Sequence, residues 1–273
     1  MAINEGNGQY RALPAMSRDL DSRPESERTK NLATTNGEVA ADIALSPLKH
    51  GEGPRIGILG DSGCGKTEAA RRLVKKYLQM MPKAPVFIID DKEAKSQFVG
   101  QERRDKTDFR IRRPLREPRV VVFRGDRFSR AEGEVDPEEI AEIQWGMAQM
   151  GKPSLVVYDE LDKAANMGQW RRGDASTIRW AFVKGRSSGA SSLWGTQETQ
   201  AVPREAFNQS SCILCFRMVG NPVRLLRERG YLEGGVGEVI PTLPGDELPP
   251  KQRGYFVLLR RGRPWDGKVY RFV

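Results

Sequence analysis

Gly60-Asp61-Ser62-Gly63-Cys64-Gly65-Lys66-Thr67 is the stretch on which the reading of this chain turns. It has the form G-x-x-x-x-G-K-T, a phosphate-binding P-loop. Arg55-Ile56-Gly57-Ile58-Leu59 precedes it, an apolar run of strand length. Glu68–Leu78 follows, with apolar residues at helical spacing. Strand, glycine loop, helix is the setting the motif requires. Gly60, Gly63 and Gly65 let the backbone curl around an anion with no Cβ in the way. The N–H groups of the loop and of the helix start then face that anion. With Asp61, Ser62 and Cys64 between them, residues 60–67 form the expected ATP-binding element. Lys66 adds a point charge near the β- and γ-phosphates, and the Thr67 hydroxyl is a ligand for Mg²⁺.

A second element gives the nucleotide a chemistry. Ser154-Leu155-Val156-Val157-Tyr158-Asp159-Glu160 reads as a buried strand ending in two acids, the Walker B pattern. Asp159 is expected to hold Mg²⁺, directly or through water. Glu160 is expected to act as general base on the attacking water. Ser191–Gln197 reads as the next strand, and such a strand lies beside the Walker B strand. That puts Gln197 near the γ-phosphate as a sensor, able to hydrogen-bond phosphate and water.

The rest of the chain fits around these pieces. Pro85–Asp90 and Arg119–Phe123 are further apolar strands. Asp136-Pro137 opens a helix that runs to about Met150, with acids near its positive end. Leu161–Gly173 reads as a loop. Ala175–Arg186 reads as a helix capped by Asp174, Pro203–Gln209 as a short helix, and Ser211–Met218 as the last core strand. Gly220–Gly235 reads as a helix carrying Arg224, Arg227 and Arg229. Asp266-Gly267 between two apolar runs predicts a C-terminal β-hairpin. The sum is an α/β fold: a RecA-like (ASCE) P-loop NTPase core, with a mainly parallel sheet and helices on both faces. Residues 1–50 lack strong periodicity and read as a flexible N-terminal arm, with 51–273 as the ATPase domain.

Composition narrows the partners. The formal net charge is +9, and the stretches 101–130 and 251–273 each carry a net +6 (eleven Lys or Arg against five acids, seven against one). The excess is concentrated there, which suits a polyanion. No apolar run approaches the length of a membrane span, and the first twenty residues lack the apolar core of a secretory signal. Cys64, Cys212 and Cys215 suggest no disulfide framework. The C-x-x-C at 212–215 reads as two small residues in a strand.

Together these pieces resemble the FtsK–HerA superfamily of DNA-pumping ATPases. The resemblance runs in order through Gly60–Thr67, then Ile88-Ile89-Asp90-Asp91-Lys92, where Asp91 replaces the family's proline, and Leu155–Glu160. Lys184–Gly189 is similar to the G-R-x-x-G before the sensor strand, Leu193–Gln197 to the strand ending in Thr-Gln, and Asn208–Arg217 to the strand ending in Phe-Arg. Leu243–Pro249 with Gly254-Tyr255-Phe256 is similar to the closing segment. The resemblance implies a homo-hexameric ring with ATP at subunit interfaces and an arginine finger in trans. Arg186 and Arg179 are the candidates for that finger. The compact chain resembles the genome-packaging ATPases of viruses with an internal membrane. That implies an ATP-hydrolysing double-stranded DNA translocase, a capsid-vertex or membrane-protein partner, and a place in the host cytoplasm or the virion. The alternatives are a conjugative, plasmid-transfer or repair-associated HerA-like ATPase, or a nucleotide-switched virion-assembly protein that pumps nothing.

Overall fold

The computed structural model describes residues 34–90, 98, 101–103, 120–124, 136–165, 167–232, 235–260 and 262–272. The described strands are β1 (Thr34–Asn36), β2 (Arg55–Leu59), β3 (Val86–Asp90), β4 (Gln101–Arg103), β5 (Val120–Arg124), β6 (Ser154–Tyr158), β7 (Ala190–Thr196), β8 (Cys212–Cys215), β9 (Tyr255–Arg260) and β10 (Val269–Arg271). They form one sheet in the order β1-β10-β9-β8-β2-β7-β6-β3-β5-β4. From β8 to β4 every neighbouring pair is parallel, whereas β9 runs antiparallel to both β8 and β10. This is the expected α/β core with its C-terminal hairpin. The central strands are buried along their whole length, which explains why β2, β3 and β6 read as unbroken apolar runs rather than alternating ones.

Helices cover both faces. On one lie α1 (Gly37–Ala44) and α2 (Lys66–Met80). Ala69, Ala70, Leu73, Val74 and Tyr77 of α2 are buried against Ile56, Ile58, Ile88, Leu155, Val157, Leu193 and Leu214 of the sheet. Their spacing is the apolar stripe of an amphipathic helix, and Glu68, Arg71 and Lys75 point outward. Beyond the other face lie α3 (Pro137–Gln149), α4 (Leu161–Ala164), α5 (Met167–Arg172), α6 (Ser176–Val183) and α7 (Arg204–Gln209), with α8 (Asn221–Glu228) and α9 (Val236–Val239) further along. The alternate strand residues meet this layer: Tyr158 packs on Phe182 at 6.2 Å between ring centroids, and Trp194 on Phe207 at 5.1 Å.

Several boundaries differ from the expectation. Residues 34–50 are part of the compact unit, which begins at Thr34 rather than at 51. β1 pairs in parallel with β10, and Ala40, Ala41, Ala44 and Leu45 are buried in the core. Residues 1–33 lie outside the described residues, as do 91–97, 104–119 and 125–135, so most of the first basic stretch and Asp91-Lys92 do too. The expected loop 161–173 contains α4 and α5, each too short to show a helical period. The helix expected over 220–235 stops at Glu228, where Arg229 and Gly230 donate to Leu225 and Arg227 carbonyls 3.0 Å away.

The cap of α6 also differs. Asp174 pairs with Arg172 at 2.9 Å instead, and Ala175 at the N-cap makes no side-chain bond. The cap comes from another helix. The Glu138 carboxylate of α3 accepts from Ile178 N–H at 3.1 Å, from the Ser176 hydroxyl at 3.3 Å and from Thr177 N–H. A carboxylate at this end satisfies orphan donors and opposes the positive helix terminus. Glu138→Ala is expected to destabilise the fold by about 1–2 kcal/mol, the scale of a lost N-cap. Denaturant titration checks it, and an unchanged midpoint would contradict the role.

Candidate functional site

The P-loop follows the end of β2, the Walker B acids follow the end of β6, and Gln197 follows the end of β7. These strands are parallel and adjacent, so all three groups emerge at one edge of the sheet. Ser62, Gly63, Gly65, Lys66, Thr67, Asp159, Glu160 and Gln197 line a single open cleft of about 870 Å³ there. The remaining loop residues shape it. The Asp61 N–H donates to the Arg217 carbonyl at 2.9 Å, holding the loop against the chain beyond β8. Cys64 is buried, and its thiol donates to the Asp61 carbonyl at 2.9 Å. Burial pushes that thiol up to about 11, so it remains protonated filler rather than a nucleophile.

Gly63 and Gly65 have φ of 74° and 106°, a region that suits glycine. A Cβ on Gly65 would also stand 3.0 Å from the Gly254 Cα. Gly65 is the N-cap of α2, so the donors of the first turn face the cleft. The Lys66 ammonium donates to the Gly60 and Asp61 carbonyls at 2.7 and 2.8 Å. Those are neutral acceptors at a partly exposed site, and a polyphosphate would compete for the same ammonium with charge on its side.

Glu160 and Gln197 form a pair. The Gln197 amide donates to Glu160 Oε1 at 2.9 Å, and the Gln197 backbone N–H to Oε2 at 3.2 Å. Glu160 is 8% exposed. Burial raises its carboxyl above the usual 4.5 and outweighs the lowering by the Gln197 hydrogen bond and the Lys66 charge. A raised carboxylate is the stronger base, as proton abstraction from water requires. Asp159 is 9% exposed and shares the cleft with the Thr67 hydroxyl. Thr67 and Asp159 present oxygen donors to one space. Among the described residues no three acidic, histidine or cysteine groups cluster as a cage. That set fits a Mg²⁺ held by one or two protein oxygens and by substrate phosphates.

The two candidate arginines lie elsewhere. Arg186 precedes the start of β7, at the opposite edge of the sheet, where it pairs with Glu52 and its carbonyl accepts from Gly53 N–H at 2.8 Å. Arg179 on α6 faces Glu205 at 3.5 Å. Both pairs are exposed and contribute little to stability. Neither arginine lines the chain's own cleft. Cys212 and Cys215 are buried in β8, where burial pushes the Cys212 thiol up to about 12.

The sequence reading missed one side of the cleft. Lys251, Arg253, Gly254 and Phe272 line it too. Arg253 donates to the Gly63 carbonyl of the P-loop at 3.2 Å across 190 positions of sequence. The Gly254-Tyr255-Phe256 signature lies beside it, but nothing local announces a contact that distant.

Comparison with protein-family models finds no match, and none is found among curated proteins. Solved structures do match in fold. The genome-packaging NTPase B204 of Sulfolobus turreted icosahedral virus 2, in complex with ATP-γS, aligns with a TM-score of 0.60 at 16% identity, over 81% of this chain and 98% of that one. B204 of Sulfolobus turreted icosahedral virus, described as a DNA-packaging ATPase, aligns at 0.55 and 15%, over 81% and 98%. VirB4 of Thermoanaerobacter pseudethanolicus aligns at 0.54 and 10%, over 79% and 89%. The chain shares the fold of these proteins.

Proposed function

We propose that this chain is an ATP-hydrolysing double-stranded DNA translocase of the FtsK–HerA superfamily, serving as a viral genome-packaging motor. The observation that carries the reading is the single cleft in which a P-loop, Asp159, Glu160 and Gln197 converge. Two B204 packaging proteins align over nearly their whole length, which supports the narrower assignment.

The residues divide the chemistry among them. Loop N–H groups and Lys66 bind and orient the ATP phosphates. Thr67 and Asp159 would hold Mg²⁺, which supplies charge neutralisation at the phosphates when bound. Gln197 leaves one carboxylate oxygen of Glu160 to engage the γ-phosphate, and Glu160 then takes a proton from the attacking water. In a homo-hexameric ring, Arg186 or Arg179 of each subunit would reach the neighbouring ATP. Lys and Arg of the stretches 101–130 and 251–273 would grip the DNA backbone without reading bases. The motor would work in the host cytoplasm and at the virion, docked on a capsid-vertex or membrane protein.

The test is ATP turnover with and without duplex DNA. Turnover should rise on adding DNA, and the stimulation should fade between roughly 50 and 200 mM salt as phosphate contacts are screened. Turnover indifferent to DNA, from a protein that stays monomeric with ATP present, would remove the motor reading.

A further inference from the structure

The cleft has two ends, and the catalytic groups occupy one of them. β2 ends at the P-loop. On one side of β2 lie β7 and β6, which deliver Gln197 and the acids. On the other lie β8, β9 and β10. Cys215, the last residue of β8, pairs with Val257 near the start of β9, and Tyr255 pairs with Arg271 at the end of β10. Gly254, just before β9, and Phe272, just after β10, therefore reach the same sheet edge as the P-loop, on the side away from Glu160. A nucleotide is elongated, with its γ-phosphate at one end. If that end meets Glu160 and Gln197 and the phosphates cross the P-loop, the ribose and base extend away from Glu160, where Lys251, Arg253 and Gly254 line the cleft together with Glu68 and Arg72 of α2.

That turn is built to hold its shape. The three guanidinium nitrogens of Arg253 donate to carbonyls: Nη2 to Asp246 at 2.7 Å, Nη1 to Gly63 at 3.2 Å and Nε to Leu248. Arg271 clamps it from outside, donating to the carbonyl of Lys251 at 2.7 Å and to that of Arg253 at 3.4 Å, with its guanidinium 5.1 Å from the Tyr255 ring centroid. The Phe272 ring is stacked on Phe256 at 5.2 Å. Phe272 is 7% exposed, so it offers the cleft a small apolar surface. Lys251 is exposed and lines the cleft. The turn thus combines a fixed backbone, a glycine without a side chain, an apolar surface and a cation. A site ordered before binding spends little affinity on ordering.

We propose that the turn Lys251–Gly254, with Phe272 beside it, is the nucleoside subsite of the cleft. Lys251 contacts the ribose, and Arg253 and Arg271 are positioning residues that hold the turn. This rests on the reading that the P-loop binds the phosphates.

The test compares ATP with inorganic tripolyphosphate, which has the phosphates and no nucleoside, by calorimetric titration of the full chain. Lys251→Ala and Arg271→Met should each weaken ATP about tenfold and leave tripolyphosphate affinity unchanged. Lys251 is exposed, so its variant keeps the fold, and a melting curve verifies this for Arg271→Met. Unchanged ATP affinity in Lys251→Ala, or equal losses for both ligands, would overturn the proposal. Lys66→Ala separates the two readings, because it must weaken both ligands. If it weakens neither, the P-loop reading has failed rather than the subsite.

Discussion

Glu160→Gln is expected to keep ATP binding and to lower turnover by about two to four orders of magnitude, the range of a general base. Glutamine preserves shape and its amide oxygen can still accept one of the two hydrogen bonds that Gln197 donates to Glu160, so the cleft stays assembled. It has no lone pair basic enough to take a proton from water. The wild-type pH dependence provides an independent check. Burial raises the Glu160 carboxyl above 4.5. Lowering the pH through that raised value protonates the base, so the acid limb of the rate profile should lie above the usual carboxylate range and vanish from the residual activity of the variant. A Glu160→Gln enzyme that turns over normally would remove Glu160 from the chemistry.

Lys66→Ala is expected to weaken ATP binding about a hundredfold. A hydrogen bond to a charged group contributes roughly 1.5–3 kcal/mol, and each 1.4 kcal/mol is tenfold in affinity. The fold itself should be nearly indifferent. Among the described residues the Lys66 ammonium bonds to the Gly60 and Asp61 carbonyls, at partly exposed positions. Ligand-free melting should therefore match wild type, whereas the rise in melting temperature with ATP should disappear. A variant whose melting still responds to ATP as wild type does would show that the phosphates sit elsewhere.

What could be read in the sequence was what is local and repeated. The P-loop, the β6 acids and the β7 glutamine each announce themselves within eight residues, because the chemistry needs those types in that order. The central strands are legible because burial on both faces leaves no polar alternation. Three features were not. β1 is Thr34-Thr35-Asn36, a polar edge strand whose pairing partner lies at the far end of the chain, so no pattern marks it. The cap of α6 comes from Glu138, and the usual signal at Asp174 points to the wrong residue. Arg253 reaches the P-loop from 190 residues away. All three are tertiary contacts, which spacing rules cannot register.

The pairing of β1 with β10 has a mechanical side. Thr34 pairs with Val269 and Asn36 with Arg271, so the strands run the same way. A tether attached before Thr34 pulls on the leading end of one strand, and an anchor beyond Phe272 pulls on the trailing end of the other. Tension between them slides the strands past each other. It does not open them from one end. In sliding, all the backbone bonds of the pair share the load and must yield together, whereas peeling would break them singly. A chain tugged from before Thr34 and beyond Phe272 would thus resist at this pair as a lap joint does.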